Sequence, residues 1–164
     1  AFLNVVQEMG GDITLANQEE IHGEAVADLR IRSSKLKGIQ IYPEQIANLI
    51  DELPLIAVLA SQAEGETVVG GAEELRVKES DRIEAIVSNL MRWGAKIFER
   101  PDGFNVEGPT QLSGGEVETF DDHRIAMSLG IASLVSKEPA HFDNPDCVDI
   151  SYPGFFDELL ALTV

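Results

Sequence analysis

The chain has 164 residues, 44% of them hydrophobic and 25% charged, and its 29 acidic and 12 basic residues give a net charge of −17. That balance argues against nucleic acid or an anionic membrane surface as partner, since both need a basic field, and no apolar run is long enough to span a bilayer. Small anions stay open, because a few arginines at one point hold a phosphate or carboxylate whatever the overall charge.

The opening "AFLNVVQEMGG" reads as a helix already under way, without an initiator Met or a basic-then-apolar signal segment. This is expected of one domain of a longer protein. Gly10 closes the helix and a strand follows; the same order recurs at "SNLMRWGAKIFERPD", closed by Gly94. Glycine there suits the left-handed residue that ends many helices, so the two stretches form an internal repeat. "RIRSSKLKG", Arg30 to Gly38, alternates as a strand with one solvated face. Three further helices each open on charge: "IDELPLIAVLASQA" from Asp51, "KESDRIEAIVSNLMRWG" from Lys78 and "DDHRIAMSLGIASLV" from Asp121. Pro54 sits where a helix start tolerates proline. The first and third become apolar and rich in small residues (Ala57, Ala60, Ser61; Ala126, Ser128, Gly130), which predicts burial on most sides. The second carries a stripe of Ile83, Ile86, Val87, Leu90 and Met91, and Trp93 and the phenylalanines read as core. Helices alternating with short strands give an α/β (α+β) fold.

The single cysteine, Cys147, rules out a disulfide framework and a Cys-rich zinc site; it reads as a small buried hydrophobe in a reducing, cytoplasmic setting. His22, His123 and His141 lack metal-ligand spacing, so no metal is indicated. The glycine pairs at Gly70 and Gly114 form no nucleotide-binding pattern.

Helix N-termini carry unpaired N–H groups and partial positive charge. Asp51, Glu52, Glu79, Asp81, Asp121 and Asp122 therefore fit as caps and dipole partners. The cations fit less well. Lys78 with Arg82, and His123 with Arg124, stand at the ends that repel them, an arrangement that makes sense if an anion binds between them.

The stretches "EELRVKESDRI" and "DDHRIAMS", with "IDELP" before and "SYPGFFDEL" after, resemble the 5-enolpyruvylshikimate-3-phosphate synthase family in order and spacing through essentially the whole chain. The match is to the C-terminal part of an enzyme more than twice this length. The resemblance implies two domains, each repeating a βαβαββ-type unit three times, with helix starts pointing into the cleft between them. It implies transfer of the carboxyvinyl group of phosphoenolpyruvate to the 5-hydroxyl of shikimate 3-phosphate by addition and elimination, with no cofactor. The expected partners are those two anions and an N-terminal domain absent from this chain.

Carried over by position, Asp51 matches the acid that contacts the shikimate hydroxyls and accepts a proton. Lys78 matches the lysine bridging both substrates, and Glu79 the acid that moves a proton at the methylene carbon. Arg82 and Arg124 match the arginines holding phosphoenolpyruvate, with His123 beside them. Two positions depart from other members: Glu74 stands where some have an Asn that contacts the shikimate phosphate, and Ile150 where others have a Lys assisting phosphoenolpyruvate. The sister transferase acting on UDP-N-acetylglucosamine, and a non-catalytic anion-binding module of the same fold, are the alternatives. The second would be expected to lose the acids beside the arginines; Asp51 and Glu79 are both present.

Overall fold

The structure is a computed structural model that describes residues 1–162. Helix α1 (Phe2–Glu8) leads into β1 (Asp12–Ile21) and β2 (Glu24–Arg32). Next come β3 (Gln40–Ile41), a short α2 (Pro43–Ile46), α3 (Leu53–Gln62), β4 (Gly65–Val69), α4 (Arg82–Arg92), β5 (Lys96–Arg100) and β6 (Gly103–Gly108). The last part holds β7 (Gly115–Val117), α5 (His123–Ser133), β8 (Ala140–Phe142) and α6 (Phe155–Ala161).

One stretch forms a full β-α-β-α-β-β unit. Its four strands run in the order β3-β4-β6-β5, with β3 and β4 parallel and the remaining pairs antiparallel. The α1-β1-β2 segment repeats the second half of this unit, and β7-α5-β8, whose strands are parallel, repeats the first half. The repeat seen in the sequence holds in atomic detail. Gly10 and Gly94 both adopt positive φ, 94° and 88°. Each donates its amide three residues back, Gly10 to Gln7 and Gly94 to Met91, and the next amide donates five residues back, Gly11 to Val6 (2.8 Å) and Ala95 to Leu90 (2.9 Å), the pair of hydrogen bonds that closes a helix over a left-handed residue.

Helices α3 and α5 are buried along most of their length, as their small residues predict. Close packing explains the composition: a Cβ on Gly130 would lie 3.1 Å from the rings of Phe155 and Phe156. The stripe of α4 buries Ile83, Ile86, Val87 and Leu90, but Met91 lies outside it and is exposed. Trp93 and Phe104 are core, whereas Phe98 points outward from β5. Cys147 is buried beside Ala126 and Val148. The basic stretch from Arg30 stays in a strand only to Arg32; beyond it Ser34 turns its hydroxyl onto the amide of Asp12 and the chain leaves the ladder.

Candidate functional site

The three charged helix starts meet, but the helices begin later than the sequence pattern suggests. Residues 73–77 coil as a 3-10 turn (Glu73–Val77), and α4 opens only at Arg82, capped by Asp81, whose Oδ1 accepts from the Glu84 amide at 3.0 Å. Lys78 and Glu79 thus sit on the connection before α4 rather than on its first turn. Asp122 caps α5 through the Arg124 amide at 2.9 Å. Glu52 stands at the α3 cap position without a side-chain capping bond. The acids therefore divide: Asp81 and Asp122 cap helices, while Asp51 and Glu79 do something else.

What they do is bind Arg82. This guanidinium is 1% exposed, rare for a cation unless it is paired. Its Nε donates to Asp122 Oδ2 at 2.8 Å, Nη1 to Asp51 Oδ1 at 2.9 Å, and Nη2 to Glu79 Oε2 and, at 3.4 Å, to Asp122 Oδ1. Four of its five N–H donors are so engaged by carboxylates from the starts of three different helices. The partners differ in exposure: the Asp122 side chain is fully buried, whereas those of Asp51 and Glu79 are 42% and 53% exposed. Ser80 donates its hydroxyl to Asp122 Oδ2 at 2.9 Å and completes that buried corner.

Burial works against charge on both buried groups, and the pairing prevails. Desolvation pulls Arg82 down, but the hydrogen bond and charge of Asp122, with Glu79 and Asp51, hold its pKa above the ordinary value. Desolvation likewise pushes Asp122 up, yet Arg82, Ser80 and the Arg124 amide hold its carboxyl below the usual range.

Arg124, on the first turn of α5, reaches the same place from the other side. Its guanidinium donates to the Asp51 carbonyl at 3.2 Å and pairs with Asp51 Oδ2 and Glu52 Oε1, both at 3.4 Å. These contacts are long, and the group is about a third exposed. A groove of about 360 Å³ opens beside it, lined in part by Asp51, Glu52, Leu55 and Met127. His123 is 8% exposed, and its Nδ1 is buried and has no hydrogen-bond partner among the described residues. The chain enters α5 through two left-handed residues, Phe120 and Asp121, with φ of 54° and 56°. Such backbone is costly for a ring-bearing side chain and concentrates at functional sites.

Lys78 lies apart from this cluster, its ammonium held by Glu74. Glu74 thus takes the lysine as its own counter-ion. Ile150 ends the 3-10 segment Pro145–Ile150 and is 76% exposed, so it brings no charge to the site. Of the residues singled out in the sequence, the structure brings Asp51, Glu79, Arg82 and Arg124 together and leaves Lys78 apart. Sequence reading missed the tie from Ser80 to Asp122 and the left-handed entry to α5, for which an aspartate at position 121 was the only hint.

Fold and site together define a repeat-built α/β protein in which helix starts from successive units converge on an ionic cluster with half-exposed acids and a reachable arginine. A family model described as EPSP synthase (3-phosphoshikimate 1-carboxyvinyltransferase) matches residues 1–159. The chain belongs to the EPSP synthase family. It is 52% identical over 154 residues to a 3-phosphoshikimate 1-carboxyvinyltransferase of Thermoanaerobacter sp. (strain X514), covering 94% of this chain and 36% of the relative. The enzyme of that name from Aquifex aeolicus (strain VF5) is 46% identical over 162 residues, covering 98% of this chain and 38% of the relative. Among solved structures, an EPSP synthase from Acinetobacter baumannii superposes with a TM-score of 0.91 at 38% identity, covering 98% of this chain and 38% of that one. The chain therefore spans little more than a third of the length of these proteins.

Proposed function

We propose that this chain forms one wall of an active site that transfers the carboxyvinyl group of phosphoenolpyruvate to the 5-hydroxyl of shikimate 3-phosphate. The observation that carries the reading is the sharing of buried Arg82 by Asp51 and Glu79, two half-exposed carboxylates. They stand where helix dipoles and cations gather around a place suited to anions.

The chemistry needs three proton movements. The hydroxyl gives up a proton as its oxygen adds to C2 of phosphoenolpyruvate, while the methylene carbon gains one. A methyl proton is then lost as the C–O bond to phosphate breaks. Asp51 suits the first movement and Glu79 the two at carbon, both being acid/base groups within one cluster. Arg124, half-buried with long contacts, is the arginine best able to exchange its carboxylates for a substrate anion. Arg82 serves the same anion only where the substrate displaces Asp51 or Glu79 from it; otherwise its work is to hold those two in place. His123 precedes Arg124 at the start of α5, its Nδ1 buried and without a hydrogen-bond partner among the described residues. Lys78 reaches substrate by leaving Glu74.

Catalysis by this route requires a water-poor cleft in which both anions are held from two sides. The second wall belongs to the further length that relatives possess, so the 164-residue chain alone should not turn over. The test is a chimera in which this chain replaces the matching span of the Thermoanaerobacter relative. Phosphate release from phosphoenolpyruvate with shikimate 3-phosphate, and none with UDP-N-acetylglucosamine, is the expected result. Release with the sugar nucleotide alone would assign the chain to the sister reaction.

A further inference from the structure

We propose that Arg76 is a positioning residue for Lys78 and Glu79, acting by tying their connection to the β5–β6 turn. This rests on the reading above, in which those two residues meet substrate. The connection between β4 and α4 holds no regular structure beyond one 3-10 turn. Loops of that kind move by default, whereas a proton-transfer group must be held to within about 0.5 Å. Something has to supply that order.

The β5–β6 turn supplies it at both ends of the connection. At the start, the Gly71 amide donates to Asp102 Oδ2 at 3.0 Å, and the Ala72 amide to the Asp102 carbonyl at 2.8 Å. Gly103 lets the two segments approach, since a Cβ there would lie 2.1 Å from the Val69 carbonyl oxygen. At the other end stands Arg76. Its Nη1 donates to Asp81 Oδ2 at 2.8 Å, Nε to the Pro101 carbonyl at 2.8 Å, and Nη2 to the Arg100 carbonyl at 2.6 Å and Glu99 Oε1 at 2.9 Å.

Asp81 uses its other oxygen to cap α4. The Arg76–Asp81 pair therefore closes an arch over residues 77–80, with Lys78 and Glu79 in its middle. One foot of the arch is pinned to the hairpin turn and the other to the helix that begins with Arg82. Four of the guanidinium's five donors point at protein acceptors, a planar fork that a lysine cannot reproduce. Arg76 itself needs no contact with substrate.

Two measurements test this. In the 164-residue chain, Arg76→Met should speed hydrogen exchange at the Glu84 and Ala85 amides, which Asp81 holds at 3.0 and 2.9 Å, while leaving those of β4 unchanged; unaltered exchange would overturn the inference. In the chimera, Arg76→Met should lower kcat by about 10²-fold through Glu79, the cost of a misplacement near 1 Å, with a smaller rise in KM through Lys78. Arg76→Lys, which keeps the charge and folds more readily, should fall between. On a Glu79→Gln background Arg76→Met should cost less than it does alone, because the part of its effect that acts through Glu79 is already gone. A full additional loss there, or no loss in the single variant, would refute positioning. An unaffected Glu79→Gln would instead overturn the functional reading beneath it.

Discussion

Asp122→Asn should cost the 164-residue chain about 3 kcal/mol of stability. Removing one partner of a buried ion pair costs roughly 3–5 kcal/mol, because the other charge is left uncompensated. Here Asp51 and Glu79 remain on the guanidinium of Arg82, but both are about half exposed and bind it from the solvent side, which favours the lower end. Asn caps a helix as well as Asp does, so the α5 cap adds no loss. Against a total of roughly 5–15 kcal/mol for a folded domain, 3 kcal/mol is a large share. For a chain of this size it corresponds to a fall in Tm of roughly 6–12 °C. Urea unfolding followed by circular dichroism reads the value directly, with Asp121→Asn, on the exposed neighbour, as a control that should change little. A loss below about 1 kcal/mol would show that Arg82 is satisfied without Asp122, and the buried centre described above would be wrong.

The same carboxylate sets a pH dependence. Its folded pKa is lowered, so its contribution is fully present above the ordinary aspartate value of about 3.9 and lost as pH falls through the lowered folded value; Asp122→Asn should flatten that acid limb of a stability–pH curve. Cys147, whose thiol is pushed up by burial and then by the nearby Asp121, Asp122 and Asp143, should react far more slowly with a thiol reagent in the native chain than in urea. In the chimera, Arg124→Ala should weaken phosphoenolpyruvate binding more than shikimate 3-phosphate binding, by about 1.5–3 kcal/mol for a charge-assisted contact. Arg124→Lys should recover only part of this because the bidentate fork is gone. The 164-residue chain by itself should release no phosphate from the two substrates, and turnover by it alone would refute the two-wall account.

Much of this arrangement was legible in the sequence, and the part that was not has physical reasons. Helix-closing glycines and small-residue helices announce themselves locally, so the repeat around Gly10 and Gly94 and the burial of α3 and α5 could be read directly. The start of α4 was read four residues early because a run of charge looks the same in an irregular connection as in a helix; only the Asp81 cap separates them. The burial of Arg82 could not be read at all. An arginine in a charged run is expected at the surface, and what allows its burial is the arrival of Asp51 and Asp122 from 31 and 40 residues away. Arg76 was equally hidden, since two of its acceptors are backbone carbonyls, which carry no residue identity. The charged stretch around "RVKESDR" thus holds two arrangements that sequence merges: Arg76 pairs with Asp81 across residues 77–80, while Glu79 and Arg82 join the ionic cluster with Asp51 and Asp122.

The central claim is that Glu79, held on Arg82, moves the proton at the methylene carbon. Its most direct test is the kcat of the chimera carrying Glu79→Gln, measured by phosphate release with both substrates saturating. The account predicts a loss of roughly 10²–10⁴-fold, the scale of one acid/base group, with KM for each substrate altered far less because the amide keeps the shape. A chimera that is active and stays within a few-fold of its parent after Glu79→Gln would contradict it.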